Sequence, residues 1–326
     1  MDISVIVPAY NCGPWLERCL DSLTAQTWES LEIVVVDDGS TDDTRQVLTR
    51  CAEKDHRIRP LFQENQGVTA ARLRGVAEAA GAWIGFVDGD DVVEPWMYQR
   101  LLENAREHGA DIAHCGQQIV FPDGRTSAVD TSEAVCCQDH LTALEALLDG
   151  RQIESGLCTK LYRRNLFQGL AAWMDPAIRY NEDLLMNFYL FSQARSAVYQ
   201  GVCPYHYLLR EGSASFRRPP EQKILQDQIA VRQKILAQCP EPLRRTALDA
   251  LLRNALFLYS WLVKFPEKTY DPGRRMVRQL LRSHRGDFAV LSRRNRGLAW
   301  LICWQSWAFA LAYRAYSGVF QRQEEH

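Results

Sequence analysis

An α/β fold, with a mainly parallel sheet covered by helices and a C-terminal helical extension, is what these 326 residues predict. Three observations predict it. Short apolar runs alternate with segments of helical spacing four times in the first 90 residues. The clearest of those runs are continuously apolar rather than alternating, as strands buried on both faces are. From Glu221 to His326 the chain reads as helical almost throughout.

The first element is "ISVIVPAYN", a β-rich run ended by Pro8, giving a strand and its loop. "GPWLERCLDSLTAQ" places Trp15, Leu16, Cys19, Leu20 and Leu23 at helical spacing. In "LEIVVVDDGSTDDT" the run Ile33 to Val36 is a second strand, broken by Asp37, Asp38 and Gly39. Thr41 or Asp42 can cap the next helix, which runs through about Ala52. "IRPLFQ" is a third strand, "GVTAARLRGVAEAA" a helix and "WIGFVDG" a fourth strand. From Asp111 to Ser215 the pattern is less regular: "DIAHCGQQIVF" is a strand, "PDGR" a turn, and "HLTALEALLDG" a helix with Gly150 as its C-cap. "YNEDLLMNFYLFSQA" is a helix beginning near Asn181, and the paired prolines of "RRPP" mark a boundary. The expected domains are 1–218, with halves 1–110 and 111–218, and a helical region 219–326.

Composition narrows the classes. With 47% hydrophobic and 24% charged residues the chain is an ordinary globular protein, and a net charge of −2 argues against a nucleic-acid binder. The charge is unevenly placed. From Asp271 onward there are ten arginines, no lysine and four acids, whereas the preceding residues carry 28 basic against 36 acidic side chains. A basic tail on an acidic body points to an anionic surface as partner, such as membrane lipid or polyphosphate. Ten cysteines without a CxxC pair, and an N-terminus that goes straight into a strand, give the expectation of reduced thiols in a cytoplasm and no zinc site.

The chemistry gathers at the strand ends. In parallel sheets ligands bind outside the carboxyl ends of the strands, and there stand Asp37, Asp38, Asp88 and Asp90. In "AWIGFVDGDDVVEP" three aspartates fall within four positions. Such carboxylates repel one another unless a cation lies among them. "ISVIVPAYN", "VVVDDGSTDDT", "NQGVTAARLRG", "FVDGDD", "NED" and "YHYLLREGSAS" occur in that order over roughly residues 3–216. Together they resemble the family 2 glycosyltransferases, inverting enzymes of the GT-A fold, whose Rossmann-like mixed sheet is mainly parallel.

The resemblance implies a nucleotide-sugar donor, expected to be linked to uridine diphosphate, and Mn²⁺ or Mg²⁺ on its diphosphate. Hard cations of this kind favour carboxylate oxygens. By the resemblance, Asp88 faces the ribose and Asp90 the metal; Pro8, Ala9 and Tyr10 contact the nucleobase, Asp38 hydrogen-bonds it, and Asp37 anchors the loop. Arg72 matches an arginine that reaches the base or diphosphate, although Leu73 stands where the family commonly has asparagine. Of Glu182 and Asp183, the second is implied as general base, taking the acceptor's proton. In the segment that closes over the diphosphate, His206 is the candidate metal ligand, and Arg210, Ser213 and Ser215 are candidate phosphate contacts. Asp91 caps the next segment or supports the site from behind. Lys160 has two readings, a contact to acceptor or phosphate and a surface lysine, and Trp173 is a candidate sugar platform.

The expected acceptor is a saccharide or lipid-linked saccharide, in cell-surface polysaccharide synthesis at the inner face of a membrane. The apolar stretch Leu298 to Tyr313 spans sixteen residues, short of a transmembrane helix. Behind its basic run it reads either as a peripheral membrane anchor or as a helix packed on protein, including a second subunit of a homo-oligomer. Two other classes compete for the whole chain. "IGFVDGDDVV" also fits the aspartate motif of haloacid dehalogenase-type phosphohydrolases, which place it after the domain's first strand; here three strands precede it. A non-catalytic nucleotide-sugar binder would lack the base or the metal ligand, and candidates for both are present.

Overall fold

The computed structural model describes residues 1–150, 153–210, 221–265, 267–311 and 313. Two compact units divide the chain, Met1–Phe216 and Arg217–His326; the sequence places the boundary at 218.

The first unit begins with β1 (Ile3–Ala9), α1 (Gly13–Thr24), β2 (Leu31–Asp38), α2 (Thr44–Lys54), β3 (Ile58–Gln63), α3 (Val68–Glu78) and β4 (Trp83–Phe86). The strands β1 to β4 are mutually parallel in the order β3-β2-β1-β4. Every residue of β2 is buried, which is why its apolar run is unbroken. Chain order reverses between β1 and β4, and it is beyond the carboxyl ends of strands at such a reversal that open parallel sheets bind their ligands. The register sets Ala9 beside Asp37, and Asp38 beside Gln63, so the predicted residues share one edge.

Two glycines set the closeness of the layers. A Cβ on Gly75 would stand 2.4 Å from Ile6 Cγ2, so α3 lies directly on β1. A Cβ on Gly85 would stand 2.5 Å from Tyr98 Cε1, the ring filling the notch that the glycine leaves in β4.

After β4 come β5 (Val92–Val93), α4 (Met97–Glu107), β6 (Ile112–Val120), β7 (Thr126–Ala128), β8 (Val135–Asp139), α5 (His140–Asp149), β9 (Lys160–Arg163), α6 (Leu170–Trp173), α7 (Glu182–Gln193) and β10 (Ser196–Leu208). Here the sheet becomes mixed. β9 inserts antiparallel between β4 and β6, and β10 runs parallel to β6 while β5 and β8 pair with it antiparallel. Gly150 takes the left-handed conformation expected of a C-cap. Of the two candidate caps of α2, Asp42 takes the part: the helix begins at Thr44, whose amide donates to Asp42 Oδ1 (3.0 Å), although Asp43 stands at the N-cap position, and Thr41 bonds Asn11 instead.

The second unit contains α8 (Gln222–Gln238), α9 (Arg244–Val263), α10 (Asp271–Ser283) and α11 (Arg293–Trp304). Leu251, Leu258 and Leu262 of α9 are fully buried with Val277, Leu281 and Ile302, so α9 is the helix that the others enclose. The sixteen-residue apolar stretch does not form one helix. It breaks at Gln305, which has left helical geometry (φ −131°, ψ 52°). No helix among the described residues is long and apolar enough to cross a membrane.

Candidate active site

Arg72 is the centre of the site. It lies on α3 one turn before Gly75, and the tight packing of that turn directs it inward, leaving it 3% exposed. Its Nη2 donates to Asp88 Oδ1 (3.1 Å), and its Nη1 donates to Glu182 Oε1 (3.2 Å) and to Asp183. One guanidinium therefore joins the end of β4 to the start of α7, segments that are remote in sequence. Arg72, which the resemblance assigns to the base or diphosphate, is buried here with its charge on three carboxylates.

Those carboxylates are there for local reasons. Asn181 adopts a left-handed conformation (φ 65°) and starts α7, so Glu182 and Asp183 occupy its first turn, where the helix dipole favours negative charge. Glu182 is buried, and that burial together with the Asp183 charge pushes its carboxyl above the usual range. Asp183 is more open, with 27% of its side chain exposed, and can meet a ligand.

The acidic tip is braced from behind. Asp91 is 1% exposed and accepts from Tyr205 Oη (2.5 Å) and from the Leu208 amide (2.9 Å). Burial, then the neighbouring Asp88 charge, pushes its carboxyl up to about 8. Tyr205 Oη in turn accepts from the Asp88 amide (3.4 Å). The supporting role expected for Asp91 is thus specific: it ties the tip to β10.

Asp90 faces the other way. Arg210 donates to its Oδ2 through Nε (3.0 Å) and Nη2, and the same guanidinium lies 3.8 Å from the centre of the Trp15 ring. In the sequence Trp15 reads only as a core position of α1. No pattern there links it to a residue almost two hundred positions away. Tyr205 leaves a fainter signal, since the two-residue period of "YHY" puts it on the face opposite His206.

The remaining predicted residues occupy varied positions. Ala9 is buried, Pro8 half-buried, and Tyr10, just beyond the end of β1, stands 52% exposed. Asp38 is 3% exposed and accepts from Gln63 Nε2 (2.7 Å), the Gln66 amide (2.9 Å) and the Gly67 amide (2.8 Å). In this structure the carboxylate expected on the nucleobase holds the loop before α3. Asp37 also anchors chain, accepting from the Ser40 amide (3.0 Å). His206 Nε2 is hydrogen-bonded to Glu94 Oε1 (2.7 Å). Among the described residues no group of three or more His, Cys, Asp or Glu side chains is arranged to hold a metal ion, so His206 is not gathered with Asp88 and Asp90 as a ligand set. Ser213 and Ser215 lie outside the described residues.

Lys160 belongs to neither of its predicted roles. It is fully buried, and its Nζ donates to the carbonyls of Glu154 (2.8 Å) and Gly156 (2.6 Å), so it orders the loop before β9. Burial pushes its ammonium down to about 8. Trp173 packs on Phe188 and Tyr189, with ring centroids 6.2 and 5.1 Å away.

The donor set at the tip suits Mn²⁺ or Mg²⁺. Asp88 and Asp90 offer hard carboxylate oxygens on side chains 36% and 25% exposed, and the guanidinium already resting on Asp90 shows that positive charge is accommodated there. Two carboxylates leave the rest of a coordination shell to substrate phosphates and water.

Comparisons with known proteins converge. Residues 4–168 match the profile of Glycosyl transferase family 2. The chain is 34% identical over 231 residues to the Bacillus subtilis protein named Uncharacterized glycosyltransferase EpsJ, covering 70% of this chain and 66% of that one. It is 32% identical over 221 residues to Succinoglycan biosynthesis protein ExoO of Rhizobium meliloti, covering 66% and 62%. These matches thus span just under two thirds of each relative's length. Among solved structures, that of S. aureus TarS 1-349 in complex with UDP superposes with a TM-score of 0.74 at 19% identity, covering 99% of this chain and 92% of that one. At that identity the likeness is one of fold.

Proposed function

The chain belongs to glycosyl transferase family 2, and from that premise we propose that it moves a hexose-type sugar, with inversion, from a uridine diphosphate donor to a saccharide or lipid-linked saccharide acceptor in cell-surface polysaccharide synthesis. One observation carries the reading: the Arg72 guanidinium holds Asp183 on one side and Asp88 on the other. A single displacement needs the acceptor's base close to the donor, and one guanidinium, which spans only a few ångströms, sets Asp183 near the carboxylate that the resemblance assigns to the donor. The solved relative with UDP supports the donor class, and the relative named for succinoglycan biosynthesis supports the polysaccharide setting.

In this reading the acceptor hydroxyl attacks the anomeric carbon from the side opposite the diphosphate. A C–O bond forms to the acceptor, the C–O bond to phosphate breaks, and its electron pair leaves on the diphosphate. Asp183 takes the hydroxyl proton. Arg72 offsets the repulsion between Asp183 and Glu182, so that Asp183 keeps its place with a buried acid beside it. Arg210, steadied by Trp15, is within reach of negative charge at the tip. Asp90 and Asp88 would hold Mn²⁺ or Mg²⁺, which when bound supplies positive charge against the departing diphosphate.

The test is a screen of nucleotide-sugars for thermal stabilisation with and without manganese, followed by turnover. A UDP-sugar should raise the melting temperature, Asp183→Asn should keep that rise while losing transfer, and Asp90→Ala should lose metal-stimulated turnover. If no nucleoside diphosphate is taken up under either condition, the reading fails.

A further inference from the structure

The C-terminal unit turns aromatic rings outward. On α11, Trp300 and Trp304 are 47% and 52% exposed, and beyond the break Trp307 and Leu311 are 72% and 68% exposed. Trp300 and Trp304 pack on each other, their rings tilted by 31° with centroids 4.2 Å apart, one turn along the same face. The other side of α11 is closed, with Ala299, Ile302 and Cys303 buried. Three exposed tryptophans in eight residues are more than the scattered apolar residues of an ordinary surface.

Charge says what they face. From Pro272 to Tyr313 there are eight arginines and one acid, Asp287, which is paired with His284. Arg278 donates to Ser306 Oγ (2.9 Å) and Arg282 to the Cys303 carbonyl (2.6 Å), so two guanidiniums flank the joint between Trp304 and Trp307. Arg293 and Arg294 are exposed in the first turn of α11, and Arg293, seven residues before Trp300, lies on the same face.

We propose that this face docks the protein on an anionic lipid bilayer, with the tryptophans at the boundary of headgroups and acyl chains and the arginines on lipid phosphates. Indole rings favour that boundary, and each basic side chain near it adds attraction. The contact proposed is peripheral; no described helix is long and apolar enough to cross a membrane. A second copy of the chain is the poorer occupant: a symmetric pair through this face would bring the exposed Arg293 and Arg294 of both copies to one seam without acids to offset them. The inference stands apart from the proposed reaction, so either can fail alone.

The full-length protein, sedimented with phosphatidylcholine vesicles containing about one-third phosphatidylglycerol, should pellet with them and not with pure phosphatidylcholine, and salt should release it. Trp304→Glu with Trp307→Glu should weaken that binding at least tenfold while the melting temperature holds. Trp307→Glu alone, at a ring with no aromatic contact among the described residues, and Arg293→Glu with Arg294→Glu serve if the first pair unfolds; each should weaken binding several-fold. Equal pelleting on both vesicle types, or vesicle binding untouched by these variants, overturns the proposal. So does a dimer in light scattering that the tryptophan variants dissolve, or a single-stranded oligonucleotide that binds more tightly than the vesicles.

Discussion

Replacing Arg72 with methionine removes the charge at the centre of the site while keeping much of the side-chain volume. The guanidinium is 3% exposed and serves Asp88, Glu182 and Asp183 at once. Taking away one partner of a buried ionic cluster costs ~3–5 kcal/mol, because the others remain desolvated and unpaired. Asp88 and Asp183 are 36% and 27% exposed, so water compensates part of the loss and the lower end, about 3 kcal/mol, is expected. That corresponds to an increase of roughly 10²-fold in the opening equilibrium. Hydrogen exchange read by mass spectrometry on β1 and β2, whose amides open with the whole unit, measures it directly. The loss should depend on pH. Burial and the Asp183 charge already raise the Glu182 carboxyl, and Arg72 opposes that rise. The wild-type native state thus already binds this proton more readily than the unfolded chain; without the arginine it does so more strongly still, so the variant's stability falls more steeply as pH rises. The deficit at pH 8 should exceed that at pH 5.5. Wild-type exchange in Arg72→Met, or a deficit identical at both pH values, would refute ion pairing as what holds these segments together.

Two further outcomes can be checked on stability alone. His114 is 2% exposed, its ring hydrogen-bonded to Gln138, and burial pushes its imidazole down to about 3. Between about pH 6.5 and that value the unfolded chain binds a proton the native state refuses, so this group should cost ~1.4 kcal/mol of stability per unit of acidification; melting curves of His114→Gln from pH 7 to 4 should be correspondingly flatter. At Gly85 an added side chain meets the Tyr98 ring at 2.5 Å; Gly85→Val should lose ~1–3 kcal/mol in urea unfolding, and Tyr98→Leu in the same chain should recover part of it.

What the sequence discloses and what it withholds divide along a physical line. β1, β2 and α1 are legible because burial on a repeating face leaves a local pattern, and the aspartates at the strand ends are legible because charge ending an apolar run is local too. The carboxylate partners of Arg72 are hidden from sequence because a buried arginine and a solvated one look alike on a helix until its partners, remote in the chain, are placed. Lys160 is misjudged from sequence: it donates to backbone carbonyls, which carry no sequence signal. β9, inserted antiparallel between β4 and β6, and the break at Gln305 depend on tertiary pairing and packing rather than on period. The family's ordered motifs locate Asp183, but only the fold sets it across a guanidinium from Asp88.

The joint made by Asp91, Tyr205 and Leu208 has a consequence for exchanging parts between relatives. A chimera that imports the first hundred or so residues into a host whose last strand has no tyrosine in the place of Tyr205 would sever it, leaving a buried acid without its phenol. Transplants that carry both ends of the joint should mature normally, whereas those that split it should yield a protein whose acidic tip wanders even though every residue touching the donor has been kept.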